Sequence, residues 1–159
     1  MRRKDREITD FDEIISVMQK CDVCRLALHD APYPYILPLN FGMEVEHGQI
    51  TLYFHGANAG KKYELIARDP HVSFEMDCGH ELLLEEETGN CTMTYESVMG
   101  TGIIEIVPDA EKETALRCLM SHYRAEDFPY NPKVIPATTV MKLTVNSVTA
   151  KRRAKKHRA

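Results

Sequence analysis

Residues 52–66 read Leu-Tyr-Phe-His-Gly-Ala-Asn-Ala-Gly-Lys-Lys-Tyr-Glu-Leu-Ile, and these residue types in this order suit an anion. A strand-like run ending at Phe54 empties into small residues, His55 to Gly60, and a short helix is predicted to follow over residues 61–68. Backbone N–H groups at a helix start lack intrahelical partners, small residues let them approach a ligand, and Lys61 and Lys62 add positive charge where a phosphate would lie. The pattern is not a P-loop, because it lacks that motif's glycine and Ser/Thr spacing. Two local readings stay open: a phosphate site and a solvated pair of lysines.

Pro38 lies inside the extended apolar run Tyr33-Pro34-Tyr35-Ile36-Leu37-Pro38-Leu39-Asn40-Phe41. Proline cannot donate to a ladder, so it marks either a plain edge strand or backbone left to meet a ligand. His55 could orient a ligand, pack locally, or supply a proton to a substrate. The remaining histidines, among them His29, His47, His71, His80 and His122, share no metal-ligand spacing, and no metal site is expected. Cys21-Asp22-Val23-Cys24 closes a predicted helix and enters a strand, the reverse of a thioredoxin-like arrangement. These cysteines are expected to be small core thiols, although Cys78 with His80 or Cys91 would be the residues to complete a zinc set.

Several elements must position these residues. Asp10 and Glu13 signal a helix start, with Phe11, Ile14, Ile15 and Met18 forming its apolar stripe. Strands are predicted over residues 24–28, 33–41 and 50–54, with Gly48 marking a hairpin turn before the last of these. Val72, Phe74 and Met76 alternate with polar residues in a further strand, followed by an acidic, loop-like stretch. Residues 91–107 form one long strand in which Gly100 and Gly102 point to a bulge or close backbone approach. A third helix opens after Pro108, with Ala115, Leu116, Leu119, Met120 and Tyr123 inward, and a last strand covers residues 138–145. Met18, Met76, Met93 and Met120 fall at apolar positions and read as core filler. About six antiparallel strands with peripheral helices make a mainly β (α+β), barrel-like sheet.

With 43% apolar and 28% charged residues, the 159-residue chain has the composition of a globular domain, not of a disordered one. One domain is expected over residues 1–150, followed by a basic C-terminal tail over residues 151–159 on a chain of net charge -4. That short run lacks the interleaved aromatics of a nucleic-acid reader, so nucleic acid is not an expected partner. No apolar stretch reaches the roughly 20 residues that span a bilayer, and no membrane partner is expected. The start carries no apolar signal core and the five cysteines are an odd number, so reduced thiols and a cytoplasmic location are expected.

The run at 33–41, Tyr-Phe-His-Gly-Ala with Gly-Lys-Lys at 53–62, and Tyr95-Glu96-Ser97-Val98-Met99-Gly100-Thr101-Gly102 together carry a resemblance, as do Met1-Arg2-Arg3-Lys4 and the residues from Asp69 to Glu75. In order and spacing, the chain resembles the pyridoxamine 5'-phosphate oxidase-like superfamily of FMN-binding split β-barrels, and within it the nitroimidazole-resistance branch. The resemblance implies a homodimer with FMN at the subunit interface. It assigns Lys61 and Lys62 to the FMN phosphate, Leu37, Pro38, Leu39 and Asn40 to backbone along the isoalloxazine ring, and His55, Gly56 and Ala57 to the strand end beneath it. Ser97 and Val98 match a position that reaches the flavin, but Glu96 stands where relatives often carry a basic residue. The implied activity is an FMN-dependent oxidoreductase reducing a small organic acceptor such as a nitro-aromatic. A flavin-binding or electron-carrier module and a heme-binding split barrel are the competing readings.

Overall fold

The computed structural model describes residues 2–129 and 131–155. After a two-residue strand β1 (Glu7–Ile8), the Asp10 carboxylate accepts the Glu13 N–H at 2.9 Å and opens helix α1 (Phe11–Lys20). Ile14, Val17 and Met18 form its buried face, while Phe11 is 38% exposed. Strands β2 (Cys24–Leu28) and β3 (Tyr35–Leu39) make the expected antiparallel pair, with Leu28 opposite Tyr35. A hairpin then joins β4 (Phe41–Glu46) to β5 (Gln49–Ala57) through His47 and Gly48, both at positive φ (50° and 81°), the conformation that matches strand twist in a two-residue turn.

Helix α2 (Lys61–Arg68) has the predicted bounds. The long strands β6 (His71–Glu85) and β7 (Asn90–Ile106) pair along most of their length, α3 (Lys112–His122) packs on β4, and β8 (Thr138–Arg153) is the last described element. The described strands form one antiparallel sheet in the order β3-β2-β6-β7-β8-β5-β4, with β1 added to β8. This open, curled sheet is a split barrel. Its interior holds Leu26, Phe41, Leu52, Phe54, Met76 and Leu143, none more than 1% exposed.

Eight strands replace the expected six. The apolar run at 33–41 is divided at Asn40, because β3 pairs with β2 whereas β4 pairs with β5. Strand β1 is too short to leave a periodic signal. Two further differences come from reading charge as loop. The acidic stretch after Met76 continues β6: past a register shift between Cys78 and Glu81, residues 81–85 and 90–94 pair only with each other and form a projecting arm. Met93 lies on this arm and is 44% exposed, so it is not core filler. The last strand also runs beyond Val145, with Lys151, Arg152 and Arg153 paired to Ser97, Glu96 and Tyr95. The basic segment therefore begins inside the sheet. Lys156, His157 and Arg158 lie outside the described residues.

The irregularity expected near Gly100 and Gly102 is present: Thr101 faces Ser147 and Gly102 faces Val145, leaving Asn146 as the extra residue. At Gly102 a Cβ would collide with the Thr144 carbonyl oxygen and stand 2.8 Å from Leu143 Cδ1. Since backbone cannot step aside as a side chain can, Gly102→Ala is expected to destabilise the fold by about 1–3 kcal/mol, measured by denaturant unfolding. Unchanged stability would show that the two strands stand further apart here.

Candidate functional site

The β3–β4 break creates the geometry of interest. Phe41 pairs with Phe54, and from this pair the chain diverges in both directions. On one side, Leu39, Pro38 and Leu37 turn away to pair with β2, leaving the other edge of β3 without a strand. On the other side, His55, Gly56 and Ala57 continue β5 and pair only with Val140, Thr139 and Thr138 of β8. Two unpaired backbone edges thus flank one split in the sheet, and α2 follows directly at its β5 end. Six of the seven predicted β3 and β5 positions flank this split; Asn40 is the junction itself.

Gly60 caps α2 at φ 143° and ψ 155°, a region open to glycine alone, and so sets the helix start against the end of β5. Tyr63 closes the turn by donating its hydroxyl to the Ala57 carbonyl at 2.6 Å. The two lysines then part company. Lys61 reaches Asp30 at 2.5 Å, lies 5.5 Å from the centre of the Tyr35 ring, and so ties α2 to the β2–β3 turn. This hydrogen bond holds the Asp30 carboxyl below its ordinary range. Arg68 adds a longer contact to Asp30 and donates to the His29 carbonyl at 2.9 Å.

Lys62 folds back over the split. Its ammonium lies 4.3 Å from the centre of the Tyr63 ring, and a Cβ placed on Gly56 would be 3.3 Å from it. Among the described residues no carboxylate pairs with Lys62. The result is one neutralised cation and one available cation beside small-residue backbone. His55 is exposed at the same edge.

Other candidates are placed differently. The Asn40 amide donates to the Asp22 carbonyl at 3.0 Å and to the Tyr123 hydroxyl at 3.1 Å. Tyr123 in turn donates to Asp22 O at 2.6 Å and accepts the Phe41 N–H. The Asn40 side chain therefore fixes the β3–β4 junction, and only its backbone is left to face the split. Val98 is fully buried in the core, while Ser97 lies on the other face of β7 between Asp77 and Lys151. Among the described residues no side-chain hydrogen bond or ion pair joins Ser97 to the β3–β5–α2 group; within one chain the candidates form two separate groups.

Glu96 points into a third cluster, accepting from Lys20 at 2.8 Å and from Arg152, which also donates to Glu13. Burial opposes its charge, but these hydrogen bonds outweigh it and hold the carboxyl below its ordinary range. The carboxylate is thus committed to α1 and β8. A groove of about 990 Å³ lies elsewhere, between Arg3, Arg6, the arm and Lys155, and contains none of the candidate residues. Of the cysteines, Cys21 and Cys24 are buried core thiols and Cys91 is exposed on the arm. No group of three or more described His, Cys, Asp or Glu side chains is placed to hold a metal ion.

Asp30, Tyr35 and Tyr63 are the participants that sequence reasoning missed. Asp30 signalled only a turn, and its partner lies 31 positions along the chain.

Residues 10–152, which span both groups of candidates, match the family described as pyridoxamine 5'-phosphate oxidase. The chain belongs to this family. A protein of known structure, a candidate 5-nitroimidazole antibiotic resistance protein from Bacteroides thetaiotaomicron VPI-5482, is 31% identical; the match covers 94% of this chain and 90% of that one, with a TM-score of 0.78. The same TM-score relates the oxidase-family fold here to the flavocytochrome Anf3 of Azotobacter vinelandii (19% identity, 98% and 72% coverage). It also relates it to an FAD- and heme-binding protein of Mycobacterium smegmatis (17% identity, 94% and 74% coverage). At those identities the likeness is one of fold. No curated protein matches the chain. No helix of the described residues is long and apolar enough to cross a membrane.

Proposed function

We propose that the chain is an FMN-binding flavoprotein that works as a homodimer and reduces a small organic acceptor. The observation that carries this reading is the split between β3 and the end of β5, with the Lys62 ammonium over Gly56. A planar, largely apolar ring with a polar N and O rim needs a flat wall and unpaired backbone donors and acceptors. Leu37, Pro38 and Leu39 provide the wall, and His55, Gly56 and Ala57 provide backbone paired on one side only. Lys62 and the N-terminal turn of α2 supply the cation and the N–H groups for a terminal phosphate. The residues fit FMN, whose isoalloxazine would accept and release electrons when bound.

The separation of Ser97 from the β5–α2 group supports the dimer. A second copy related by a two-fold axis would bring the β7 segment that carries Ser97 toward the first copy's split. His55, exposed at the unpaired edge, is available to orient the acceptor. The nitroimidazole-resistance relative favours a nitro-aromatic as that acceptor.

The test is the absorption spectrum of the purified protein before and after adding FMN, with molecular mass measured by sedimentation. Flavin bands, a saturable FMN titration and a dimer mass are expected, as is turnover of a nitro-aromatic with a reduced nicotinamide. Bound flavin without turnover favours a carrier. A Soret band, or failure to bind FMN, overturns the cofactor assignment.

A further inference from the structure

We propose that the uncovered face of the β6–β7–β8 sheet is the docking surface for a second copy of this chain, and that the two copies meet about a two-fold axis running along β7. It rests on the homodimer reading and not on the flavin. The odd-numbered residues of β7 define this face: Thr101 and Ser147 share a hydroxyl hydrogen bond across it at 2.8 Å, and the Lys151 ammonium lies 5.4 Å from the centre of the Tyr95 ring. Alternation places Met93, Met99 and Ile103 on the same side, and Leu82 and Leu84 join them on the arm, opposite Met93 and Cys91. These apolar side chains are between 40% and 69% exposed. The helices are committed elsewhere: α1 and α2 bury their apolar residues in the barrel core, and α3 packs on β4 and β5. An apolar line along a whole strand with no helix over it marks an interaction surface.

Charge selects the occupant. Asp77, Ser97, Lys151 and Glu7 lie opposite one another in a single row across β6, β7, β8 and β1. On the β6 side of Ser97, Glu75 and Asp77 share one arginine, Arg25 of β2, and His80 bonds the second Asp77 oxygen. That side keeps a surplus of negative charge at neutral pH. On the β8 side, Lys151 and Arg153 outnumber Glu7, and among the described residues neither cation has an ion pair. The face is therefore acidic on one side of β7 and basic on the other.

A two-fold axis along β7 lays the β6 side of each copy over the β8 side of the other. Asp77 then meets the partner's Lys151, Arg25 meets the partner's Glu7, and each contact occurs twice. An axis across the strands would instead set β6 on β6 and like charge on like. Met99 and Ile103, close to the axis, are covered by the same strand of the second copy. At about 4.8 Å between strands and about 3.4 Å per residue, the face from β2 to β1 and from Met93 to Ile103 measures roughly 19 by 34 Å, on the order of the ~800 Å² per partner that a stable complex buries.

The test measures the molecular mass of the full-length protein and its variants by sedimentation, with native mass spectrometry for mixtures. Lys151→Glu and Asp77→Lys each set like charges together at both contacts, and each is expected to weaken dimerisation by about 100-fold or more. Mixed in equal amounts, the two variants are expected to recover a dimer with one copy of each, because every contact then joins opposite charges. If either variant does not fold, cross-linking decides alone: in a Cys91→Ser background, a short bismaleimide is expected to link Met99→Cys to its own copy, whereas Cys91→Ser by itself is not linked. A monomeric wild-type protein overturns this proposal together with the homodimer reading. A wild-type dimer that both charge variants leave intact, or that gives no Met99→Cys cross-link, overturns the docking face and leaves the homodimer standing. Variants that separate but do not pair when mixed overturn the axis along β7 and the proposal with it.

Discussion

Lys62→Glu is expected to weaken FMN binding by about 100-fold or more while leaving thermal unfolding unchanged. Lys62 has no carboxylate partner among the described residues, so its removal breaks no ion pair and costs the fold little. Against a phosphate dianion, the substitution both deletes a charge-assisted hydrogen bond and introduces repulsion at short range. Lys61→Glu is the informative comparison. Lys61 already neutralises Asp30, so its reversal places two carboxylates together, loosens α2 from the β2–β3 turn and affects stability more than affinity. Titration of FMN fluorescence quenching against each variant, with unfolding curves alongside, separates the two roles. Equal losses of affinity would mean that Lys61 leaves Asp30 when the phosphate binds. Unchanged affinity in Lys62→Glu would remove the phosphate from this end of α2.

What could be read from the chain alone follows a physical division. Local patterns were legible: the Asp10 cap and the Ile14–Met18 stripe, the residues of α2, and the turn at Gly48. Each depends on neighbours a few positions away. Partner choice was not legible. Nothing between Tyr33 and Phe41 says that the first part pairs with β2 and the rest with β5, yet this divergence makes the split. Charge also misled: the acidic stretch after Met76 reads as a loop and residues 151–153 as a tail, but residues 81–85 and 151–153 lie in strands, where alternation lets charged side chains point to solvent or to counter-charges such as Glu96. The pairing of Lys61 with Asp30 shares this origin, since it exists only because α2 crosses back to the β2–β3 turn.

Gly56→Val is expected to abolish most FMN binding, about 30-fold or more, in a protein as stable as the original. The contrast with Gly102 explains the second half of that statement. A Cβ on Gly56 would meet Tyr63 Oη at 3.1 Å and Lys62 Cε and Nζ at 3.2 and 3.3 Å, the far ends of flexible side chains that can swing away. Valine also suits a strand position better than glycine, which offsets the lost contacts. The first half follows from the same distances: the branched side chain fills the floor of the split and moves the Lys62 ammonium from the place where a phosphate would meet it. If Gly56 acts through Lys62, the double variant Gly56→Val/Lys62→Glu will bind FMN scarcely more weakly than Lys62→Glu alone, because the cation that valine displaces is already gone. Fully additive losses would instead assign Gly56 to the ring and Lys62 to the phosphate as independent contacts. Wild-type affinity in Gly56→Val would place the ring away from the end of β5 altogether.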